Sequence, residues 1–249
     1  MTVVALTSAE RPDLPDRPEL ENVWPEYNRH GEVTNRFWGR LYDDFPEFQF
    51  VLYDEAAQRP LAEGHTIPCR WDGTPEGLPH GIDGLLEDAF ALREAGAAPN
   101  TLSALAIEIA PTARGAGLSA TMIETMARIA GANGLPDLIA PLRPTWKDRY
   151  PLTPIERYAA WTRDDGLPFD PWIRTHVRLG AEILRPEPES LRIVGTVGEW
   201  QAWTELALPE SGDYVFPQGL APLRVDREAD RGTYYEPNVW VRHSVARRE

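Results

Sequence analysis

A six-residue turn, Arg114-Gly115-Ala116-Gly117-Leu118-Ser119, joins an apolar segment to an amphipathic one. Glycine lets backbone N–H groups approach a ligand without an intervening side chain. The first turn of a helix adds unpaired N–H donors and partial positive charge, which suit a diphosphate. The turn lacks the Gly-Lys-Ser/Thr ending of a P-loop and the third glycine of a dinucleotide fingerprint. The sequence therefore predicts an anion site of another kind at residues 114–119.

The apolar segment before the turn contains one acid, Glu108. A carboxylate is costly to bury alone, so this side chain must be paired, hydrated or functional. A general base is one interpretation, and a structural pairing is the other. Positive charge concentrates after the next apolar segment, at Arg143, Lys147 and Arg149. These groups either bind a phosphate or an acidic acceptor, or form a solvated surface run.

Hydrophobic periodicity predicts alternating strands and helices, which is the α/β pattern. Asp83 is the predicted cap of one helix, and β structure is expected to continue through Trp200–Leu206. The predicted strands are 3–6, 48–53, 61–69, 101–110, 138–142, 181–184, 191–197 and 200–206, and the predicted helices start near 22, 83, 118 and 170.

The turn resembles the Gln/Arg-x-x-Gly-x-Gly/Ala signature of the GNAT superfamily of N-acetyltransferases, from which Ser119 departs at the last position. A second segment, Thr175–Ile183, resembles the closing helix and strand of that family, Leu-Tyr-Glu-Arg-Leu-Gly-Phe. The two matches occur in the family's order. The chain is therefore similar to this family over about residues 1–207.

The resemblance implies an α/β fold with a mixed central sheet splayed between strands 4 and 5 and flanked by helices. It implies one acyltransferase domain over residues 1–207, with an insertion at about 144–168. Residues 208–249 are expected to be a β-rich extension that covers the sheet or the acceptor pocket, or forms a homodimer. It also implies acetyl-CoA or another acyl-CoA as co-substrate, bound by Ile109, Ala110, Arg114, Gly115, Ala116, Gly117, Leu118 and Ser119.

In the family a tyrosine commonly donates the proton to the departing thiolate, and His176 occupies that position here. Histidine titrates near neutral pH and can act as an acid or a base. Tyr150 and Tyr158 are alternative donors. The glutamate that some relatives use on strand five falls on Pro141. The acceptor is expected to be a small amine that attacks the acyl group directly, and Arg143 and Trp146 are the predicted substrate-binding residues. The predicted catalytic residues are His176, Glu108 and Tyr158.

Composition limits the other possibilities. The 249 residues are 42% hydrophobic and 26% charged, as in an ordinary globular protein, and the net charge of -14 argues against nucleic acid and anionic membranes as partners. One cysteine, Cys69, argues against disulfides and fits a cytoplasmic location. The five histidines show no metal-ligand spacing, so no metal is expected.

Two alternatives stay open at this point. One is different chemistry on the same fold, either acyl-CoA decarboxylation or aminoacyl transfer, because His176 replaces the usual tyrosine. The other is a noncatalytic CoA-binding or interaction module, because the strand-five glutamate is absent.

Overall fold

A computed structural model describes residues 2–13, Leu20 and residues 24–245. The strands are β1 Val3–Thr7, β2 Gln49–Asp54, β3 Arg59–Cys69, β4 Thr101–Ile109, β5 Asp137–Leu142, β6 Glu182–Gly195, β7 Gly212–Tyr214, β8 Leu223–Asp226 and β9 Arg231–Ser244. The α-helices are α1 Glu32–Phe37, α2 Arg40–Asp44, α3 Gly81–Glu94, α4 Leu118–Ala132, α5 Ile155–Ala159, α6 Pro171–Arg178 and α7 Val197–Thr204. The strands form one mixed sheet, and the predicted α/β class is confirmed.

The sheet separates between β4 and β5, as predicted. These strands are parallel neighbours, but they pair only at Leu102 with Leu138 and at Ser103 with Ile139. Directly after this pairing, the register of β4 against β3 shifts by one residue at Leu105. A β-bulge of this kind bends a strand and increases its twist. The bulge therefore accounts for β4 turning away from β5 and opening a cleft.

The C-terminal residues do not cover the sheet from outside. β9 pairs antiparallel with β5 over residues 239–244 and with β6 over residues 232–242, so it lies between these two strands. β8 pairs with the first residues of β9, and β7 pairs with β8, so these two short strands extend the sheet at that end of β9. The expectation that this extension covers the sheet is corrected, because the last described strand is an interior strand of the sheet.

Two local predictions were wrong. The segment Trp200–Leu206 does not continue in β structure, since α7 occupies Val197–Thr204. Thr196 and Glu199 form a capping box there, in which each side chain accepts a hydrogen bond from the backbone of the other. Asp83 does not cap α3 either. The helix begins at Gly81, and the Asp83 carboxylate accepts a hydrogen bond from the backbone N–H of Arg192 instead.

Three buried clusters hold the layers together. The largest packs α3 and α4 against β2 to β4, an aromatic cluster around Tyr27, Trp200 and Tyr234 packs α7 against β6 and β9, and a third packs α5 and α6 against β5 and β9. In the first cluster β3 passes close beneath α4. A Cβ at Gly64 would collide with the ring of Phe50 and lie 2.9 Å from the Met122 methyl group.

We expect Gly64→Ala to lower the free energy of unfolding by about 1–3 kcal/mol, because an added methyl group overpacks a filled core. Gly39→Ala is the matched control, since no atom lies within 4 Å of a Cβ there. Its φ of -62° is helical, so it should leave stability unchanged or raise it by up to about 1 kcal/mol. Urea denaturation followed by tryptophan fluorescence measures both. Equal stabilities of the two variants would contradict this account of the packing.

Candidate functional site

A cavity of about 860 Å³ fills the cleft between β4 and β5. Its wall includes every residue of β4 from Ala104 to Ile109 and the end of β5 from Ala140 to Leu142. The helices contribute Tyr42, Trp172 and His176, the turn between α1 and α2 contributes Trp38, and the segment before α1 contributes Trp24 and Arg29. The size is that of an ordinary small-molecule site.

The glycine turn lies at one end of this cavity. Gly115 and Gly117 have φ of +81° and +77°, a backbone conformation that glycine adopts without strain. Within the described chain, no N–H of residues 114–119 donates a hydrogen bond, although α4 begins at Leu118. Successive unpaired N–H groups at a helix start form a concave anion site. The turn therefore has the backbone conformation that an anion site requires, and its contact with a diphosphate stays a prediction.

The side chains of the turn divide into two groups. Arg114, Gly115 and Ser119 line the cavity, and Arg114 makes no hydrogen bond or ion pair with any described residue. Ala116 and Gly117 are outside the wall, and the Leu118 side chain packs into the main core. The predicted contacts of these three residues are thus restricted to their backbone N–H groups.

The edge of β4 that faces the cleft carries the second predicted CoA contact. The N–H of Ala110 donates to the carbonyl of Leu61 on β3 at 2.9 Å. Because successive N–H groups alternate between the two edges of a strand, the N–H of Ile109 points away from β3 and toward the cleft. Ile109 is in the cavity wall and Ala110 is not. The prediction for Ala110 is corrected, since its N–H is already used in the sheet.

Two carboxylates lie opposite one another on the cavity side of the sheet. Glu63 of β3 and Glu108 of β4 are direct cross-strand partners, and both line the cavity. Trp24 Nε1 donates to Glu108 Oε1 at 2.6 Å, and the Tyr42 hydroxyl donates to Glu63 Oε1 at 2.8 Å. Burial raises the pKa of Glu108, against the lowering effects of the Trp24 hydrogen bond and of the positive charge of Arg29. Like charges that face each other across strands repel, so this arrangement favours a cation between them.

His65 lies beside these carboxylates on β3. Its Nε2 is 3.8 Å from Glu63 Oε1, and its ring centre is 4.9 Å from that of Trp38. Burial lowers the pKa of His65 to about 4, so the imidazole is neutral at neutral pH. The pocket therefore offers carboxylates and aromatic faces, with no additional positive charge from this histidine.

Arg143, predicted to bind substrate, is in the wall but is held by the protein. Its Nε lies 3.1 Å from Glu236 Oε1, and its Nη2 donates to the Tyr27 hydroxyl at 2.9 Å and to the Gln218 carbonyl at 2.8 Å. Glu236 belongs to β9. The guanidinium thus ties the end of β5 to β9, and its contact with a ligand stays a prediction.

His176 lies in the cavity wall and is 3% exposed. Its Nδ1 is 2.9 Å from Nε2 of His243 on β9. Its own Nε2 is buried and has no hydrogen-bond partner among the described residues. Burial, and to a smaller extent His243, lower the pKa of His176 to about 3. A neutral imidazole with one unpaired nitrogen therefore borders the cleft.

Two predicted site residues are corrected. Tyr158 is 1% exposed, lies outside the cavity wall and donates its hydroxyl to Asp170 Oδ2 at 2.8 Å. It packs in the α5–α6 core, so it cannot reach a thiolate in the cleft. Trp146 is also outside the wall, because its ring packs edge-on against Phe169. Lys147 is buried as well and donates to the carbonyls of Tyr150 and Leu220.

Several cavity residues were missed by the sequence analysis: Trp24, Trp38, Tyr42, Glu63, His65 and Glu236. Glu63 and His65 alternate along β3, and this spacing of two was an available signal for one face of a strand. Cys69, by contrast, is buried outside the wall, and burial raises the pKa of its thiol to about 12. This thiol is not positioned to act as a nucleophile.

Neither a metal-binding cluster nor a membrane-spanning helix is found within the described ranges. Among these residues no cluster of three or more His, Cys, Asp or Glu side chains could hold a metal ion. No described helix combines the length and apolar character that crossing a membrane requires.

Comparison with known proteins identifies a relative along almost the whole chain. The sequence is 30% identical to the arginine N-acetyltransferase AvaD of Aspergillus versicolor, over 96% of this chain and 93% of that protein. No family model matches the chain.

Two solved structures share the fold. The loading GNATL domain of CurA from Lyngbya majuscula has a TM-score of 0.60 and 15% identity, covering 98% of this chain and 97% of its own. The GphF GNAT-like decarboxylase in complex with isobutyryl-CoA has a TM-score of 0.56 and 16% identity, with coverage of 99% and 100%. At these identities the likeness shows the fold, while the Aspergillus relative shows the family. The chain belongs to the GNAT superfamily and is an acyl-CoA-dependent N-acyltransferase.

Proposed function

We propose that the protein transfers the acetyl group of acetyl-CoA to the α-amino group of arginine, or of a small amine with a similar second cation. The observation that carries the proposal is the pair of facing carboxylates, Glu63 and Glu108, in the cavity wall. The name of the Aspergillus relative, an arginine N-acetyltransferase, supports the same acceptor.

The wall around the two carboxylates suits a guanidinium. This group is planar, stays protonated at neutral pH and donates several N–H groups in one plane. Carboxylates accept such bonds in pairs, and aromatic faces attract the cation. Trp24, Trp38 and Tyr42 line the same part of the cavity. A cation between Glu63 and Glu108 would offset their repulsion, which a neutral acceptor would not do.

The α-amino group is the nucleophile in this proposal. A guanidinium cannot lose its proton under ordinary conditions, so it has no free electron pair for attack. The amine nitrogen forms a bond to the thioester carbon, and the carbon–sulfur bond breaks to release CoA. The Ile109 N–H is assigned to the carbonyl oxygen, and Arg114 with the N–H groups of residues 115–119 is assigned to the diphosphate.

Glu108 is assigned to binding the acceptor rather than to removing its proton. Its carboxylate is fixed by Trp24 at 2.6 Å and faces Glu63 across the strand pair. A carboxylate that is held in place and faces a second negative charge is suited to binding a cation. It is less suited to acting as a general base, because a base must change its own charge during the reaction. The sequence-based role as general base is thereby replaced by a role in recognition.

The cytoplasmic location, the homodimer and the absence of a metal, of nucleic acid and of membrane as partners stay predictions. The other chemistries considered above need other substrates. Decarboxylation would release carbon dioxide, without any amine, from an acyl-CoA that carries a free carboxyl group, such as malonyl-CoA.

With acetyl-CoA in excess, we expect arginine to be acetylated at its α-amino group with kcat/KM at least about tenfold above that of citrulline. Citrulline has the same shape without the charge, and a hydrogen bond to a charged group is worth about 1.5–3 kcal/mol. Release of the CoA thiol gives the rate, and fragment masses locate the acetyl group. Equal rates with arginine and citrulline would reject the cationic acceptor.

Glu108→Gln should raise KM for arginine by about tenfold or more, through loss of a charge-assisted bond, and should remove the preference over citrulline.

Burial raises the pKa of Glu108, so the stability linked to its proton is present at low pH and lost as pH rises through the folded pKa. Gln does not titrate. The variant should therefore be more stable than the parent at pH 7, with the difference disappearing at a pH of about 4. Thermal unfolding at the two values tests this, and lower stability at pH 7 would contradict it.

Gly117→Glu should abolish stabilisation by acetyl-CoA, because the new carboxylate would face the diphosphate and a side chain at φ of +77° is strained. The parent should gain about 2.7 kcal/mol at a hundredfold excess over Kd. Gly134→Glu is the matched control, with φ of +70° after the other end of α4 and outside the cavity wall. Thermal shift with acetyl-CoA and free CoA measures both. A parental shift in Gly117→Glu would place the coenzyme elsewhere.

A further inference from the structure

His243, on β9, forms a buried pair with His176 of α6. The two rings are joined by the 2.9 Å contact between His176 Nδ1 and His243 Nε2, and their side chains are almost inaccessible to solvent. The edge of Trp172 packs on the His176 ring, with 4.5 Å between ring centres. His176 borders the cavity, whereas His243 lies behind it and outside the wall. The orientation of His176 is therefore set by a side chain that no ligand in the cavity contacts.

The hydrogen-bond chain fixes where the protons are. The backbone of Leu179 raises the pKa of His243, which is the effect of a carbonyl that accepts a hydrogen bond from an imidazole N–H, and a carbonyl can only accept. Since His243 Nε2 faces His176, the proton given to Leu179 is on Nδ1. A neutral imidazole carries one N–H, so His243 Nε2 has a lone pair and must accept from Nδ1–H of His176.

We infer that His243 is a positioning residue that holds His176 as the Nδ1–H tautomer, so that His176 presents a proton-accepting Nε2 to the reacting groups. Burial keeps both rings neutral, because it lowers the pKa of each imidazole. The unpaired, buried Nε2 is the atom that this tautomer leaves available. In this tautomer His176 would first accept a proton and then donate it to the departing thiolate, and its predicted role as proton donor stays a prediction.

This tautomer gives the reaction a balanced proton route, which rests on the proposed amine acetylation. As the bond between the amine nitrogen and the acyl carbon forms, the nitrogen loses a proton to His176 Nε2. As the carbon–sulfur bond breaks, the sulfur takes that same proton from Nε2. His176 ends neutral and in its starting tautomer, and the Nδ1–H bond to His243 is kept throughout. The charge on the imidazole is therefore brief, as burial requires.

Three variants separate positioning from simple packing. His243→Leu removes the acceptor for His176 Nδ1–H, and His243→Gln supplies an amide oxygen at a similar reach. His176→Phe removes the shuttle itself. We expect His243→Leu to lower kcat by about tenfold or more and His176→Phe by about 100-fold, within the range for general acid–base groups. His243→Gln should recover most of the rate, with KM for acetyl-CoA changed by less than about twofold in both His243 variants.

Nitrogen-15 NMR of the histidine rings reads the tautomer directly and needs no acceptor. The expected spectrum of the parent and of His243→Gln shows an unprotonated Nε2 on His176, while His243→Leu shows a mixture of tautomers. A protonated Nε2 in the parent, or parental kcat in a folded His243→Leu, would overturn the inference. Should His243→Leu not fold, the parent spectrum still decides. An unprotonated Nε2 together with inactivity toward arginine would reject the proposed acceptor and leave the tautomer assignment intact.

Discussion

The early separation of β4 from β5 is the constraint on which the rest of the site depends. Only two residue pairs join these parallel strands before the bulge at Leu105 turns β4 aside. A continuous parallel pair would use the cleft-facing N–H groups of β4 in the sheet and would leave no space for a ligand. Separation instead leaves the Ile109 N–H facing the cleft. Since β4 leads through a short turn into α4, the same departure brings the helix start to the end of the cavity.

A strand that loses one neighbour must be held by the other. β5 pairs with β9 along its whole length, and β9 is paired on its far side with β6. Beyond the last residue of β5, Arg143 continues the attachment through Glu236 of β9 and the Tyr27 hydroxyl. The segment that sequence reasoning assigned to a β-rich extension therefore supports the β5 side of the cavity, and it contributes Glu236 to the wall. His243 reaches His176 from this same strand.

The sequence predicted best those features whose determinants are contiguous. The anion turn needs glycine and a helix start within six residues, and both are visible in the order of residues 110–120. The position of β9 depends on residues that are distant in the sequence, because no pattern within β9 itself indicates which two strands it will pair with. The prediction of β structure over Trp200–Leu206 was wrong for a different reason. A short apolar segment fits the periodicity of a strand and of a helix alike, and the capping box at Thr196 was the signal that distinguishes them.

Site residues followed the same division. Tyr158 and Trp146 lie in the insertion predicted at about residues 144–168. Whether such an aromatic ring faces a cavity or a core depends on its packing with distant elements such as α6. The partnership of His176 with His243 joins residues 67 positions apart. No pattern in either segment indicates it. Glu63 and Glu108 likewise become a pair only through the register of β3 against β4.

The same low polarity acts in opposite directions on the acids and the imidazoles of the wall. Burial favours the neutral form of every titratable group, so it raises the pKa of Glu108 and lowers those of His65 and His176. A cation bound between the carboxylates favours the charged form of Glu108 without requiring any imidazole to become charged. The acceptor then adds positive charge between the carboxylates, beside that of Arg29 in the wall. Because His176 remains neutral and unpaired at Nε2, it keeps its capacity to take a proton until the amine attacks.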